Sequence, residues 1–587
     1  MKKRFITMHL YKILTFASAV TITTALGAAP VEAPAAQAKK NPSVRAPETP
    51  AQHDARMAWW REAKFGLFIH WGLYAIPADG EWHMRSKKMT IAEYKKYAAE
   101  FNPIKFNADE WASVAHDAGM KYMVVTAKHH DGFAMYPSKA SDYNLTDATP
   151  FKRDPFKELS LACPKYDVRF GVYYSVLADW GHPGGGAGCE KWDPAQNGGF
   201  DEYVEKVSLP QVKELLSNYG PISVMWFDSD GAKAPDPEKV GARYASVLKL
   251  QPNLIVRGGA GSYPADFYDH EGYIPLNTPT GDWELCCTAN GSWGYTRQRA
   301  NSLVKQLPFL IEAWSKGGNV LLNVGPDREG ALPADSMELL KQIGAWMKVN
   351  GEAVYGSTRG PFDYLPWGWA TLKGDMLYLF VLKWPKDGEL RIPMETPITK
   401  AWLLTDPTKV LESQKCNGVT LLKVPVQASD PIASVIACKM GGIVPPYHSI
   451  RVEGPVTASE DARGAQSMVT GLWGMWGIEK DTGWVELDLG KTKTFSTVRL
   501  STPSCKASSN DTILRNKSAR IIVEVKSGAV WNKLIEADLP MNGKNREGLL
   551  VQGFEPVTAR HVRVRVIAGT PKKNDAPDIW IRSFELF

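Results

Sequence analysis

The chain has 587 residues, a formal net charge of +6, 44% hydrophobic residues and 22% charged residues, which is the composition of an ordinary globular protein. This length predicts three or four domains. Because the basic residues are not gathered into a long run, the sequence argues against a nucleic-acid-binding protein.

The amino-terminal segment has the pattern of an export signal. Met1-Lys-Lys-Arg4 is positively charged, Ile13 to Ala29 is mostly apolar without charge, and Ala36-Gln-Ala38 is a small-residue cleavage site. We expect residues 1–38 to be removed and the protein to be periplasmic or secreted. The apolar run is short and rich in Thr and Ala, so we expect no membrane span. A flexible lead-in is predicted at 39–52.

Residues 53–350 alternate short apolar runs with helical patterns. Predicted strands begin at Phe65, Tyr122, Arg169, Ile222, Leu254, Trp283 and Asn319. Predicted helices are Thr90–Glu100, 107–119, Pro155–Cys163, Phe200–Asn218, Pro237–Leu250, Ser302–Lys316 and Pro333–Val349. This repeat favours an α/β fold of the (β/α)8-like (TIM) barrel type, with an open doubly wound sheet as the alternative. No Gly-rich phosphate loop follows a strand, which argues against a nucleotide cofactor.

The pattern changes from Gly351 onward. Short strands separated by turn residues predict two all-β domains, a β-sandwich at 351–450 and a second β domain at 451–587. The seven cysteines fit no zinc ribbon, and one or two disulfides stay open as a possibility. Cys286 and Cys287 are adjacent on one predicted strand, so we expect them to face opposite sides and to serve in packing.

Polar residues follow the apolar bodies of the predicted barrel strands. They are His70, His129, His130, Tyr173, Tyr174, Asp228, Arg257 and Glu284. In a barrel, the carboxyl ends of all strands meet at one mouth, where active sites lie. The sequence therefore predicts a polar active site built from these strand ends.

The residue types at these strand ends favour one chemistry. Three histidines could bind a metal, but His129 and His130 are adjacent and would face opposite sides of a strand, so we favour a site without metal. No Gly-x-Ser-x-Gly nucleophile motif is present. Asp228 could instead pair with Glu271 or Glu284 among aromatic residues. Two such carboxylates are what glycoside hydrolysis requires, one of them with a raised pKa.

Several motifs, taken together and in order, resemble a known family over about residues 50–360. They are Phe65-Gly-Leu-Phe-Ile-His-Trp-Gly72, Glu81-Trp82, Lys128-His-His-Asp-Gly-Phe133, Gly171-Val-Tyr-Tyr-Ser175, Trp226-Phe-Asp228, Trp283-Glu284, Ser292-Trp-Gly-Tyr295 and Lys316-Gly-Gly-Asn-Val-Leu-Leu-Asn-Val-Gly-Pro326. The sequence resembles the α-L-fucosidases of glycoside hydrolase family 29. The resemblance implies a barrel enzyme that releases terminal α-L-fucose from fucosylated oligosaccharides or glycoconjugates with retention and without metal or cofactor.

The resemblance also implies individual roles. Asp228 is the expected nucleophile. The acid/base falls on Glu284, which we prefer, or on Glu271, because its position varies within the family. Expected contacts to fucose hydroxyls are His70, Glu81, Trp82, His129, His130, Tyr174 and Arg257, and Trp293 is expected against the apolar face and methyl group of the sugar.

The sequence leaves two rival functions open and also predicts a carboxyl-terminal module. The rivals are an exo-glycosidase for another terminal sugar, such as a galactoside, and a barrel that binds glycans without catalysis. Residues 451–587 resemble a discoidin-type (factor 5/8 C-domain) jelly roll of the kind used to bind carbohydrate. That resemblance depends on 483–490, 497–500, 559–566 and the closing residues 581–587. A purely structural role for this module is the alternative. The sequence does not determine which fucosyl linkage is cleaved, which glycan is the natural substrate or how many copies of the chain assemble.

Overall fold

The computed structural model describes residues 48–186, 190–228, 234–258, 260–275, 279, 281–363, 365–394, 396–416, 419–444, 452–459, 465–466, 476–478, 482–502, 519–538, 548–568, 579–581 and 583–586. The predicted export signal, 1–38, and most of the predicted lead-in lie outside these residues. Within them, every helix is too short or too polar to span a lipid bilayer.

Eight parallel strands form a nearly closed barrel. They are β1 (Phe65–Ile69), β2 (Tyr122–Lys128), β3 (Arg169–Ser175), β4 (Val224–Asp228), β5 (Ile255–Arg257), β6 (Tyr268–Glu271), β7 (Trp283–Thr288) and β8 (Asn319–Val324). Their order is β5-β4-β3-β2-β1-β8-β7-β6, and a single parallel bridge, Arg257 to Phe267, links the two edges. This arrangement confirms the predicted barrel over the doubly wound sheet. β6 was not predicted, because Tyr-Asp-His-Glu has no apolar body.

The predicted helices are present close to their predicted ranges. The observed helices are α1 (Pro50–Ala63), α2 (His83–Ser86), α3 (Ile91–Tyr94), α4 (Lys96–Glu100), α5 (Ala108–Asp117), α6 (Leu145–Ala148), α7 (Pro155–Ala162), α8 (Phe200–Tyr203), α9 (Leu209–Asn218), α10 (Pro237–Leu248), α11 (Leu303–Ser315) and α12 (Ala334–Asn350). However, α1, α2 and α6 were not predicted, and α1 begins at Pro50, within the predicted lead-in. A π-helical segment, Val204–Ser208, joins α8 to α9, and short 3-10 helices occupy Leu73–Ala75, Cys163–Tyr166, Pro194–Gln196 and Gly351–Ala353. Asn107 caps α5 through its side chain, which accepts a hydrogen bond from the backbone N–H of Glu110.

Side chains along the barrel strands alternate between the barrel interior and the helix layer, as the period of a β-strand requires. The interior holds Phe68, Tyr122, Val124, Tyr173, Val224, Trp226, Cys286 and Leu321. We call the carboxyl ends of β1–β8 the mouth and their amino ends the bottom. Helix α1 closes the bottom, where Trp60 stacks on Phe267 at 4.6 Å between ring centroids.

Antiparallel sheets follow the barrel, as predicted. Strands β9 (Thr358–Arg359), β10 (Gly368–Lys373), β11 (Met376–Val381), β13 (Ile398–Leu403), β14 (Asp406–Val410) and β17 (Ser434–Met440) form one sheet in the order β14-β13-β17-β11-β10-β9, and β12 (Glu389–Ile392), β15 (Ser413–Cys416) and β16 (Val419–Lys423) form another. The indole N–H of Trp346 in α12 donates to the carbonyl of Ala433, just before β17, at 3.0 Å, so the six-stranded sheet packs directly on a barrel helix.

A further antiparallel sheet is built from β18 (Val456–Ala458), β20 (Thr482–Thr502), β21 (Ala519–Ser527), β22 (Val530–Asp538), β23 (Gly548–Ala568) and β25 (Ser583–Leu586), and β19 (Trp476–Ile478) pairs with β24 (Ile579–Ile581). One face buries Val485, Val523 and Val564. The opposite face carries Trp484 and Trp531, the latter under the Arg563 guanidinium at 4.4 Å.

Four cysteines have described side chains, and all four are free and buried: Cys163, Cys286, Cys287 and Cys438. Cys286 packs in the barrel interior and Cys287 in the helix layer, which confirms their predicted opposite orientation. Cys189, Cys505 and the side chain of Cys416 lie outside the described residues, so the possible disulfides stay untested.

Candidate active site

Asp228 is the last residue of β4, at the mouth of the barrel. The phenol of Tyr173 donates to its Oδ2 at 2.5 Å, and Nε2 of His130 lies 3.3 Å from the same oxygen. About a third of the side chain, 34%, is exposed. The register explains the first contact, because Tyr173 pairs with Trp226, two residues before Asp228, and all three share the interior face.

The surroundings of Asp228 keep its carboxylate ionised. Burial raises its pKa, but the adjoining His130 imidazole, the positive charge of Arg257 and the hydrogen bond from Tyr173 outweigh burial and hold the pKa below the ordinary value of 3.8. An ionised carboxylate at the centre of a mouth is what a nucleophile requires.

Three histidines surround this carboxylate. Nδ1 of His130 lies 2.6 Å from Oγ of Ser175, and Nδ1 of His70 lies 2.8 Å from Oδ1 of Asn323. The His129 ring stacks on Tyr173 at 5.4 Å, and its buried Nδ1 has no hydrogen-bond partner among the described residues. Burial lowers the pKa of all three, that of His70 to about 4. Neutral imidazoles can each donate and accept one hydrogen bond, which suits sugar hydroxyls.

Arg257 ends β5 and is held on three sides. Its Nε donates to Oδ1 of Asp269 at 2.6 Å, and its Nη1 donates to the carbonyl of Phe227 at 2.5 Å. The guanidinium lies 3.7 Å from the ring centroid of Trp226. These contacts fix a permanent positive charge beside Asp228.

Glu81 and Trp82 lie on the loop before α2 and reach the same mouth. Oε2 of Glu81 accepts a hydrogen bond from the backbone N–H of Gly294 at 2.7 Å. Burial raises the pKa of Glu81, and the negative charges of Glu271 and Asp228 add to the rise, so the three carboxyls are neighbours. Trp82 is 43% exposed, and its ring lies 5.4 Å from that of His130. Trp82 therefore places an exposed aromatic ring at the rim of the mouth.

Glu271 ends β6 and is exposed at the mouth. The indole N–H of Trp293 donates to its Oε1 at 3.1 Å, and the Trp293 ring lies 5.0 Å from that of His70. The structure thus brings Glu271, Trp293 and His70 together on the side of the mouth formed by β6, β1 and the 290s loop.

Glu284, the preferred acid/base of the sequence prediction, lies elsewhere. It is the second residue of β7 and pairs with Asn319, the first residue of β8, so it belongs to the bottom half of the barrel. Its Oε2 accepts from the Tyr122 phenol at 2.5 Å and its Oε1 from the Trp226 indole at 3.3 Å. The residue has no exposed surface. A leaving group at the mouth cannot reach it in this geometry, so the structure speaks against the preferred candidate, Glu284, and leaves the alternative, Glu271, at the mouth.

Tyr174 also lies outside the mouth. Its phenol donates to Oε1 of Gln211 at 2.7 Å, and the Lys128 ammonium lies 4.6 Å from its ring, in the helix layer. The strand alternation places Tyr173, not Tyr174, on the interior face. The structure therefore speaks against the predicted sugar contact of Tyr174 and places its neighbour, Tyr173, at the mouth.

His129, His130 and Asp228 could also hold a metal by distance, since one ligand atom from each lies within 4.8 Å of the others. The argument from strand alternation does not apply to the two histidines, because β2 ends at Lys128 and both imidazoles turn toward the mouth from the loop. His130 and Asp228 already contact each other directly. The absence of a metal stays a prediction.

Three supporting residues were missed by sequence reasoning. Ser175 and Asn323 orient His130 and His70, and Asp269 holds Arg257. Ser175 and Asn323 sit in motifs that close barrel strands, so their position carried a signal. Asp269 lies on the polar strand β6, which has no hydrophobic pattern to reveal it.

Comparisons with known proteins identify the family of the chain. The family model described as Alpha-L-fucosidase matches residues 32–352. Human plasma alpha-L-fucosidase is 33% identical over 432 residues, which cover 66% of this chain and 89% of that protein. A crystal structure of alpha-L-fucosidase from Vibrio sp. strain EJY3 is similar with a TM-score of 0.69 and 27% identity, covering 91% of this chain and 97% of that one.

A second solved structure bears on the chemistry. It is a family 29 alpha-L-fucosidase from Bacteroides thetaiotaomicron, described as a trapped covalent intermediate in complex with 2-fluoro-fucosyl fluoride. It is 28% identical with a TM-score of 0.60, and covers 68% of this chain and 99% of that one. Since the family model spans more than half of the chain, and the human relative is matched over nearly its whole length, the chain belongs to the α-L-fucosidases of glycoside hydrolase family 29.

Proposed function

We propose that the protein is an exported α-L-fucosidase that hydrolyses terminal α-L-fucose with retention, with Asp228 as nucleophile and Glu271 as acid/base. The observation that carries the proposal is the ionised Asp228 at the mouth, held by Tyr173, His130 and Arg257. Glu271 is the exposed carboxyl on the neighbouring side of the same mouth.

The first step forms a fucosyl-enzyme. An Asp228 oxygen bonds to the anomeric carbon, the bond from that carbon to the leaving oxygen breaks, and Glu271 gives its proton to the leaving oxygen. In the second step, Glu271 takes a proton from water, the water oxygen bonds to the anomeric carbon, and Asp228 leaves as a carboxylate. Two inversions retain the α configuration. The covalent intermediate described for the Bacteroides relative supports this order.

The remaining mouth residues would hold the sugar. His70, His129 and His130 offer neutral imidazoles, Glu81 offers a buried carboxyl and Arg257 a fixed guanidinium to the fucose hydroxyls. The Trp293 indole is held by Glu271 and presents a ring for the apolar face and methyl group of fucose. Trp82 would add an aromatic wall at the rim.

The first test is release of the aryl group from an aryl α-L-fucoside, beside the aryl α-D-galactoside and β-D-galactoside. We expect release from the fucoside only, with α-L-fucose as the first anomer seen by NMR. Preferred release from a galactoside would favour the rival exo-glycosidase. No release from any of them, with fucose still bound in a thermal-shift assay, would favour the glycan-binding rival. β-L-fucose as the first product would overturn retention.

We also propose that residues 451–587 form a discoidin-type module that contacts glycans. Trp484 and Trp531 on the solvent-side face of its sheet could stack on sugar rings, which would concentrate the enzyme on a glycan-coated surface. Affinity electrophoresis of the full chain in a gel with fucosylated glycoprotein should show retardation that Trp531→Ala weakens. Equal migration of both proteins would favour a structural role.

A further inference from the structure

Glu284 is a fully buried carboxyl to which the proposed reaction gives no role. Within the barrel it accepts two hydrogen bonds, from the Tyr122 phenol at 2.5 Å and the Trp226 indole at 3.3 Å. Leaving a buried acceptor in an aromatic core costs free energy unless it is satisfied, so these two contacts define what the carboxyl does. One of them connects it to the mouth.

That connection passes through Trp226. On one side, the Trp226 ring stacks on Tyr173, with 5.5 Å between centroids and 22° between planes. On the other side, the Arg257 guanidinium lies 3.7 Å from the ring centroid. Tyr173 donates to Asp228, and the Arg257 charge stabilises its carboxylate. A single indole therefore supports two of the groups that set the state of the nucleophile.

We infer that Glu284 is a positioning residue, which anchors the Trp226 indole so that Tyr173 and Arg257 are held against Asp228. This inference rests on the proposed function, since Asp228 must be the nucleophile for the anchoring to affect rate. An indole held only by stacking can slide or tilt in its plane, because ring contacts are broad in angle. A hydrogen bond to its N–H fixes both.

The ionisation of Glu284 is compatible with this role. Burial and the negative charge of Asp269 raise the pKa of Glu284 to about 8. The hydrogen bonds from Tyr122 and Trp226 and the positive charge of Arg257 lower the pKa, but their effect is smaller. A neutral carboxyl still accepts the indole N–H through its unprotonated Oε1, and it places no second negative charge under Asp228. A purely packing role would need neither acceptor atom, and this difference makes the inference testable.

The test compares four variants of the full-length enzyme on an aryl α-L-fucoside from pH 3 to 8. Glu284→Leu removes both acceptors at similar volume, and Glu284→Gln keeps a carbonyl acceptor for the indole. Trp226→Phe replaces the two-ring indole by a single ring and thereby removes the N–H that bonds Glu284. Tyr122→Phe is the matched control, because it removes the other donor to Glu284 and leaves the indole bond intact.

We expect Glu284→Leu and Trp226→Phe to lower kcat/KM about 10- to 100-fold, mainly through kcat, and to move the acid limb of kcat/KM to higher pH, since Asp228 loses stabilising contacts. Glu284→Gln and Tyr122→Phe should stay within about threefold of the wild type, with an unmoved acid limb.

A folded Glu284→Leu enzyme with wild-type kcat and acid limb would overturn the inference. If Glu284→Leu fails to fold, Trp226→Phe decides, and a wild-type profile for it would overturn the inference equally. An equal loss in Tyr122→Phe and Glu284→Leu would assign both to packing. A wild-type enzyme without activity on the fucoside would instead refute the proposed function, so the two failures are distinct.

Discussion

Asp228 at the mouth and Glu284 near the bottom are two carboxyls of the same barrel interior with opposite ionisation. Each accepts a hydrogen bond from a tyrosine phenol at 2.5 Å, and each is enclosed by aromatic rings. Burial acts against the charge of both. The pKa of Asp228 is nevertheless lowered, while that of Glu284 is raised to about 8.

The difference lies in the neighbouring charges. Asp228 contacts His130 and lies within the influence of the Arg257 charge. Glu284 contacts a phenol and an indole, and the negative charge of Asp269 opposes the positive charge of Arg257 there. Burial among aromatics therefore does not identify a general acid. A raised pKa marks a catalytic acid only where the group can also reach the substrate, and Glu284 cannot.

The largest expected effect is at the mouth. Asp228→Gly should lower kcat on an aryl α-L-fucoside by roughly 10⁴-fold, because no fucosyl-enzyme can form. Azide should restore turnover and give β-L-fucosyl azide, since it attacks from the face that the carboxylate vacated. Retained fucose binding in a thermal-shift assay is the control. Activity within tenfold of the wild type would remove Asp228 from the nucleophile role.

The next test separates the two glutamates. Glu271→Ala should lower kcat about 10²- to 10⁴-fold on substrates with a poor leaving group, and less on an activated aryl fucoside. Azide should rescue it and give α-L-fucosyl azide, because it attacks the β-linked fucosyl-enzyme. Glu284→Gln should keep activity and should not respond to azide. The opposite pattern, with rescue at Glu284, would restore the assignment that the sequence favoured.

A smaller loss of activity is expected to distinguish two adjacent tyrosines on opposite faces of β3. Tyr173→Phe removes the hydrogen bond to Asp228 and should lower kcat/KM about tenfold, with the acid limb moved to higher pH. Tyr174→Phe removes an equally buried phenol that bonds Gln211 in the helix layer, and its kinetics should stay within twofold. Equal losses in both variants would mean that the phenols matter only for folding.

The smallest expected effect is on stability. Between pH 4.5 and about 8, folded Glu284 keeps a proton that the unfolded chain loses, so its contribution to stability falls as the pH rises. The Tm of Glu284→Gln relative to wild type should therefore increase by about 2 °C or more over this range. The pKa of Asp228 is lowered, so its stabilisation is present above pH 3.8 and is lost only below it. The Tm difference for Asp228→Asn should stay constant over the same range.

The sequence by itself determined the barrel, the antiparallel sheets after it and most of the mouth. Apolar strands alternating with capped helices require a βα repeat, and polar residues after each strand must meet at one end of a closed parallel sheet. From this pattern, the sequence alone predicts that His70, His130, Asp228 and Arg257 lie together at the mouth. This prediction worked because local hydrophobic patterns report strand position directly.

Only the tertiary structure decided how far along its strand each residue lies and which face of the sheet its side chain occupies. The sequence pattern grouped Glu284 with strand-end residues such as Asp228, but Glu284 is the second residue of its strand, whereas Asp228 is the last of its own. Tyr173 and Tyr174 differ only in which way the pleat turns them. Strand limits and register are set by pairing across the sheet, as between β7 and β8, and a local pattern does not contain that pairing. The sequence offered Glu271 only as the alternative acid/base, and its place at the mouth was not visible in the local pattern, because β6 is a strand only through its partner β7.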